Sequence, residues 1–413
     1  MNSFLRAFLR IFYRLIGRSF DQPKTQPTTA PVKPPTPKPI AETPKIETPE
    51  PAPLPVPTPV FPPLPKELEH RIVTERSRRV FIVTDGNLEG RFPEHNDTRR
   101  NWQGLYNSGA LSIKGFIQTD GAMLKDLDMT DSAINVMSAV SDNEGKLEAI
   151  NAYDGAFLSF GIFQWTLGTQ DRDGELPAML RGLKEAYPDA FEHYFGQFGL
   201  DVHPETSRTY GFLSLNDKKL RPRQEKKLLR NWDWVYRFWR AGLDKHVQAV
   251  QIQHALGRLK TFYWTQKAHG FTLNQIITSE FGVGLILDNH VNLPDFPWRC
   301  LQAAMTQTGL TNPTTWTTAE ERKVLEKYLD IRTAFTHVYR EGQRPVGPMF
   351  DARKRGETTR RYLKDGLISD ERNSFLYSTR GRSLRNEVAA PEGFDPQDYP
   401  EIRMEIEEPE DAA

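Results

Sequence analysis

The chain has 413 residues, with 54 basic and 54 acidic side chains and a single cysteine, Cys300. The balanced charge excludes a chain built mainly to bind nucleic acid, which would be strongly basic. One cysteine excludes an intramolecular disulfide and a metal site made of cysteines alone. The nine histidines have no metal-ligand spacing, so the sequence predicts neither a metal nor a cofactor.

Residues 1–20 have the pattern of a basic amphipathic helix. Such a helix either lies in a membrane interface or docks on the protein itself. It is too interrupted by charge to span a bilayer, and it lacks the apolar stretch and cleavage site of a signal peptide. A position at a membrane and a non-standard export route therefore both stay open. The arginines that share one helix face are Arg6, Arg10, Arg14 and Arg18.

Two further segments have compositions that do not favour a packed core. Residues 21–65 hold seventeen of the 31 prolines. Because proline fixes φ and removes a backbone donor, this segment is predicted to be a disordered, extended linker. Residues 387–413 carry ten acidic residues and one arginine, so 386–413 is predicted to be a solvated, disordered tail.

The remaining segment, 66–385, is rich in aromatic and aliphatic residues and long enough to bury a core. Its apolar spacing is mostly helical, and one β-like run covers 79–83. We expect a mainly α domain of the α+β kind, with a small β element near a cleft. The predicted helical stretches are about 130–144, 175–197, 223–259, 272–290, 297–308 and 318–340, with 224–260 as one long core helix.

Glu144 is the first candidate for chemistry. The apolar stripe of the helix over 130–144, continued from Met137 by three, four and seven residues, reaches Val140, Ser141 and Glu144. The carboxyl group is therefore expected on the buried face in the last turn of the helix, with Gly145 ending it. Burial and the negative end of the helix dipole both raise the pKa of such a group. A protonated glutamic acid is what protonation of a glycosidic oxygen requires.

The residues after Glu144 resemble the lysozyme-like superfamily. The run FGIFQ at 160–164 is similar to the Gly-apolar-apolar-Gln run that follows the catalytic glutamate of goose-type lysozymes and lytic transglycosylases. Asp154-Gly155, Ser159, Gly161-Ile162 and 167–169 (LGT) are similar to a pattern of the related chitosanases. The likeness covers about thirty residues and implies a lysozyme-like glycoside hydrolase with Glu144 as its acid.

The matched residues acquire candidate roles from their chemistry. Asp154 is a candidate base that activates water, and its Asp-Gly context is equally typical of a structural turn. Ser159 is a candidate to orient water or substrate, and Gly161 would let a sugar ring approach the backbone. Gln164 has a donor and an acceptor for an N-acetyl or hydroxyl group. Trp165, the next residue, is the last candidate in this segment for binding substrate.

Two residues further along the chain are weaker candidates. Glu280 and His290 lie on one predicted helical stretch, which makes them candidates to line the same cleft and bind substrate. A structural histidine in the core is the more common case for a residue such as His290.

These patterns leave several functions open. The first is a hydrolase of peptidoglycan glycan strands, with peptidoglycan or a chitosan-like polymer as its partner. The second is a domain of the same fold that binds cell-wall glycan without cutting it. A lytic transglycosylase or a chitosanase is a further alternative, and the transglycosylase needs only the glutamate.

Overall fold

The structure is a computed structural model that describes residues 64–98, 102–294, 296–334, 350–379 and 387–403. The predicted N-terminal helix, all of the predicted linker before residue 64 and the last ten residues lie outside these ranges. No helix in the described ranges has the length and apolar character needed to cross a bilayer.

Many more of the described residues lie in helices than in strands, which confirms a mainly α domain. Thr130 and Ser279 begin two of the central helices, because their hydroxyl groups accept backbone N–H bonds from Ala133 and Gly282. The helices are α1 Ile113–Asp120, α2 Ala122–Asp126, α3 Asp131–Ser141, α4 Leu176–Ala186, α5 Pro188–Tyr194, α6 Arg223–Lys226, α7 Trp232–Gly242, α8 Lys245–Gly257, α9 Leu273–Ile276, α10 Glu280–Asn292, α11 Pro297–Thr308, α12 Thr318–Ala334 and α13 Phe350–Lys364.

The strands form one larger antiparallel sheet and two small ones. In the larger sheet, seven strands pair in chain order: β1 Glu69–Glu75, β2 Arg78–Thr84, β3 Glu89–Asp97, β4 Trp102–Asn107, β5 Ile150–Asn151, β6 Ser159–Phe160 and β7 Trp165–Thr166. The small sheets contain β8 Leu200–Val202, β9 Leu213–Leu215 and β10 Lys218–Lys219, and then β11 Lys267–Ala268 and β12 Phe271–Thr272.

The sheet is larger than the single β-like run predicted at 79–83, which becomes part of β2. Strand β1 is almost wholly exposed, so it lacks the apolar alternation that would have revealed it. Its turn into β2 uses Arg76 and Ser77 at φ 47° and 66°. Hairpin turns with positive φ normally use Asn or Gly, and neither residue type is present to signal this one.

Several predicted helices are interrupted, and the expectation of one long core helix over 224–260 is wrong. The chain is extended at Asn231 and Asp244. The Asp244 side chain accepts the backbone N–H of His246 and so begins α8. Over 175–197, Pro188 forces Tyr187 out of helical geometry (φ −138°, ψ 70°) and separates α4 from α5. By contrast, α11 has the predicted bounds of 297–308.

Helix α10 is the centre of the helical part. Every residue from Glu280 to His290 is buried, and the helix packs against α3, α11 and α13. Helix α13 also contacts α3 and α12. These contacts bring the end of α3, the last turns of α10 and α12, and the start of α13 to one place.

The prediction of a disordered tail from residue 386 is wrong for 387–403. Val388 is fully buried and Ile402 is 3% exposed, and the carbonyl of Val388 accepts the indole N–H of Trp264 at 3.0 Å. Arg403 is paired with Asp173 at 2.6 Å. Most of the acidic residues of this segment are exposed, while Val388 and Ile402 pack on the domain, so net composition alone was misleading.

Candidate active site

Glu144 lies just beyond α3, at the junction between that helix and strands β5–β7. Helix α3 ends at Ser141 with Asp142 as its C-cap, so the expectation that Glu144 belongs to the last helical turn is wrong by one turn. Its N–H still bonds to the carbonyl of Ser141 at 3.1 Å. The next N–H, that of Gly145, donates to the carbonyl of Ile162 at 2.8 Å, which ties this loop to the hairpin β6–β7.

The carboxylate of Glu144 belongs to a buried network that the sequence did not predict. Arg355 of α13 donates to it through Nη2. The same guanidinium donates through Nε to Asp288 Oδ2 at 3.1 Å and through Nη1 to the Asn143 carbonyl at 3.1 Å. The Asn143 side chain donates to Asp288 Oδ1 at 3.0 Å. Arg355 is therefore shared between two carboxylates.

A second arginine completes this network. Arg332 of α12 lies 2.8 Å from Asp288, and both side chains are 1% exposed. The cluster thus contains two arginines and two carboxylates, Glu144 among them. Its ion pairs join α10, α12, α13 and the end of α3. Nothing in the sequence spacing links positions that are so far apart. The one unusual feature of the sequence is Asp288, an acidic residue that directly follows the apolar residues 285–287.

Burial raises the pKa of the Glu144 carboxyl to about 7. Its side chain is only 10% exposed, so the charged form loses most of its solvation. Arg355 acts in the opposite direction and lowers the pKa, and the negative charge of Asp288 adds to the rise. Glu144 is therefore poised to hold a proton near neutral pH, as the sequence suggested.

Asp154 is buried and is engaged within its own turn. One carboxylate oxygen accepts the side-chain amide of Asn151 at 2.6 Å, and the other accepts the backbone N–H of Ala156 at 3.0 Å. Arg230 donates to its main-chain carbonyl. Burial raises the pKa of Asp154, and these hydrogen bonds oppose the rise. The geometry favours the structural-turn interpretation over that of a catalytic base.

The hairpin residues that follow are packed against protein. Ser159 is 4% exposed in β6. Gly161 has φ 79°, and a Cβ there would lie 2.2 Å from Gln251 Oε1. The missing side chain at Gly161 thus makes room for Gln251 of α8. The expectation that it makes room for a sugar ring is wrong. Gln164 is partly exposed, and its amide donates to the Gly161 carbonyl at 2.8 Å, which closes the hairpin turn.

The last three candidates have structural contacts of different kinds. Trp165 is 2% exposed, and its ring lies 5.4 Å from that of His254. Glu280 accepts the backbone N–H of Ser369 at 2.8 Å. His290 is fully buried and accepts from Arg258 Nε at 3.0 Å. The expectation that Glu280 and His290 line a shared cleft is therefore wrong.

A second buried ion pair contains a carboxylate that the sequence analysis missed. Arg258 Nη1 donates to Glu175 Oε2 at 2.9 Å, and burial raises the pKa of Glu175. Arg258 is also close enough to Glu144 for its charge to lower the pKa of that carboxyl. The charge of Arg258 thus acts on both glutamates, Glu144 and Glu175.

No group of three or more histidine, cysteine, aspartate or glutamate side chains in the described ranges is placed to hold a metal ion. No protein-family model, curated protein or solved structure matches the chain.

Proposed function

We propose that this domain is a lysozyme-like glycoside hydrolase that cleaves the glycan strands of peptidoglycan, with Glu144 as general acid. The observation that carries the proposal is a buried glutamic acid with a pKa of about 7. Such a group is protonated often enough at neutral pH to donate to a glycosidic oxygen. The local sequence resemblance of the residues after Glu144 to lysozyme-like enzymes supports the same proposal.

The direct test is cleavage of purified peptidoglycan by the full chain, with the product ends identified by mass spectrometry. A hydrolase leaves a reducing end, whereas a lytic transglycosylase leaves an anhydro ring. Chitosan serves as the second polymer, since the resemblance includes chitosanases. A chain that binds peptidoglycan and releases no fragments from either polymer would favour the alternative of a non-catalytic glycan-binding module.

Among the catalytic alternatives, the hydrogen bonds of Asp154 within its own turn favour a mechanism with one essential carboxylate. An inverting hydrolase needs a second carboxylate that deprotonates water. Both oxygens of Asp154 already accept hydrogen bonds from Asn151 and Ala156. A lytic transglycosylase, which needs only Glu144, is therefore the second candidate function.

The Asp154→Asn substitution separates these mechanisms. We expect cleavage to fall by less than about tenfold, far less than when the general acid is lost, because the amide oxygen can still accept one of the two bonds. Initial rates on one polymer, normalised to folded protein, give the comparison. A rate as low as that of a Glu144 variant would make Asp154 the base and restore the two-carboxylate mechanism.

The pH dependence of cleavage reports on Glu144 itself. A general acid works in its protonated form, which predominates below its pKa. We therefore expect kcat/KM to decline as the pH rises through about 7. Rates on soluble glycan fragments across the neutral range provide the measurement. If kcat/KM had already declined fully near the pKa of an ordinary exposed glutamate, the acid would not be buried in its working state.

A further inference from the structure

A groove runs between α4, α8, the turn before α3 and the C-terminal segment. Its volume is about 640 Å³, within the range of roughly 300–1,000 Å³ that is typical of ligand pockets. Tyr377 and Tyr399 provide aromatic surface. The C-terminal segment that the sequence suggested to be disordered thus forms one wall of this groove.

The groove is lined by equal numbers of basic and acidic side chains. Three basic side chains, Arg181, Arg208 and Lys260, face three acidic ones, Asp128, Glu185 and Glu392. Several are already paired with each other, as in the 2.7 Å bond between Arg181 and Glu185. The histidine of the lining, His254, has a pKa lowered to about 3 by burial, so it is neutral. A surface of this kind suits an uncharged ligand with many hydrogen-bonding groups.

A small recess opens from the groove. Arg208, His254, Gly257 and Tyr399 line both spaces. The recess has a volume of about 30 Å³, which is room for one water molecule or one hydroxyl group. Glu175, Arg258 and Trp165 also line it, so it adjoins the hairpin that follows Glu144.

One residue that lines the recess has a buried hydroxyl group without a partner in the described ranges. Thr209 is 4% exposed, it lines the recess, and its Oγ1 has no hydrogen-bond partner among the described residues. Leaving such a group unsatisfied costs free energy, and a ligand hydroxyl in the recess would satisfy it.

We propose that the groove binds a stretch of uncharged oligosaccharide, with one sugar hydroxyl group in the recess beside Thr209 and a sugar face against Tyr399. A sugar chain has the required combination of hydroxyl groups and apolar ring faces, and N-acetylglucosamine rings carry no charge. The inference rests on the proposed function, because it identifies where the glycan lies beyond the bond that is cut. It also assigns a binding role to the C-terminal segment.

The experiment measures binding of a short chitin oligomer, without turnover, to the full chain carrying Glu144→Gln. In this background, Thr209→Val should weaken binding about tenfold, since one hydrogen bond to the sugar is lost. The same substitution should leave Tm unchanged or higher, because it removes an unsatisfied buried hydroxyl group. Calorimetric titration and thermal unfolding provide the two measurements.

Tyr399→Ala should also weaken binding about tenfold, as truncation of a contacting aromatic side chain commonly does. The matched controls lie outside the groove: Thr308→Val at the end of α11 and Tyr106→Ala in β4 should bind the oligomer like the parent. No binding by the parent, or equal affinities across the parent and both groove variants, overturns the inference. Failure of the proposed function is distinguishable, since it would appear as no cleavage by the parent chain, or as undiminished cleavage by the Glu144→Gln chain, and not as a change in affinity.

Discussion

Glu144→Gln is expected to lower the rate of glycan cleavage by about 10²–10⁴-fold, the usual contribution of a general acid. The amide has the shape of the carboxyl group but cannot donate an acidic proton to the leaving oxygen. The fold should remain, because Arg355 keeps its bonds to Asp288 and to the Asn143 carbonyl. Initial rates on peptidoglycan, together with Tm, measure the two effects separately.

Glu148→Gln is the matched control for this substitution. Glu148 lies four residues further along the same loop and is 3% exposed. Its carboxylate accepts the backbone N–H of Leu111 at 3.1 Å, which gives it a structural task. We expect a lower Tm and a parental rate per folded molecule. If Glu144→Gln cleaved as fast as the parent, a catalytic role for Glu144 would be ruled out.

The sequence predicted the elements whose residues repeat with a clear period. The apolar stripe of 130–144 gives α3 and the burial of Glu144, and the β-like run at 79–83 gives β2. Helix ends were less predictable, since Asn231 and Asp244 interrupt a continuous apolar pattern through local backbone geometry. Caps of this kind change the path of the chain without changing its hydrophobic period.

The partners of the candidate residues were harder to predict than the residues themselves. Gly161 was correctly recognised as a position of close approach, but it is Gln251 that approaches. Arg355 meets Glu144 only because α13 packs against α3. A motif shows which residue types are present in one segment, whereas such contacts join segments far apart in the chain. For the same reason, the packing of Val388 and Ile402 could not be predicted from an acidic composition.

Asp288→Asn is expected to destabilise the domain by about 3–5 kcal/mol, the typical effect of removing one partner from a buried ion pair. Asp288 is fully buried and lies 2.8 Å from both Arg332 and Arg355. Without its charge, Arg332 is left buried with no acidic partner in the described ranges. Arg355 retains Glu144. Denaturant unfolding monitored by tryptophan fluorescence gives the change in the free energy of unfolding.

Asp142→Asn provides the surface comparison for this prediction. Asp142 pairs with Arg361 at 2.8 Å, but both side chains are partly exposed, and such pairs contribute no more than about 1 kcal/mol. Equal unfolding midpoints for the two variants would show that Asp288 does not hold the buried cluster together.

The charge of Asp288 should also affect the chemistry of the site. It raises the pKa of Glu144 and also binds Arg355, which otherwise stabilises the Glu144 carboxylate. In Asp288→Asn, the amide holds Arg355 less strongly and the repulsive charge is gone, so the pKa of Glu144 should fall. The decline of kcat/KM with rising pH should then begin at lower pH than in the parent, measured at a temperature where the variant is folded. An unchanged pH profile would mean that Glu144 gains its proton affinity from burial alone.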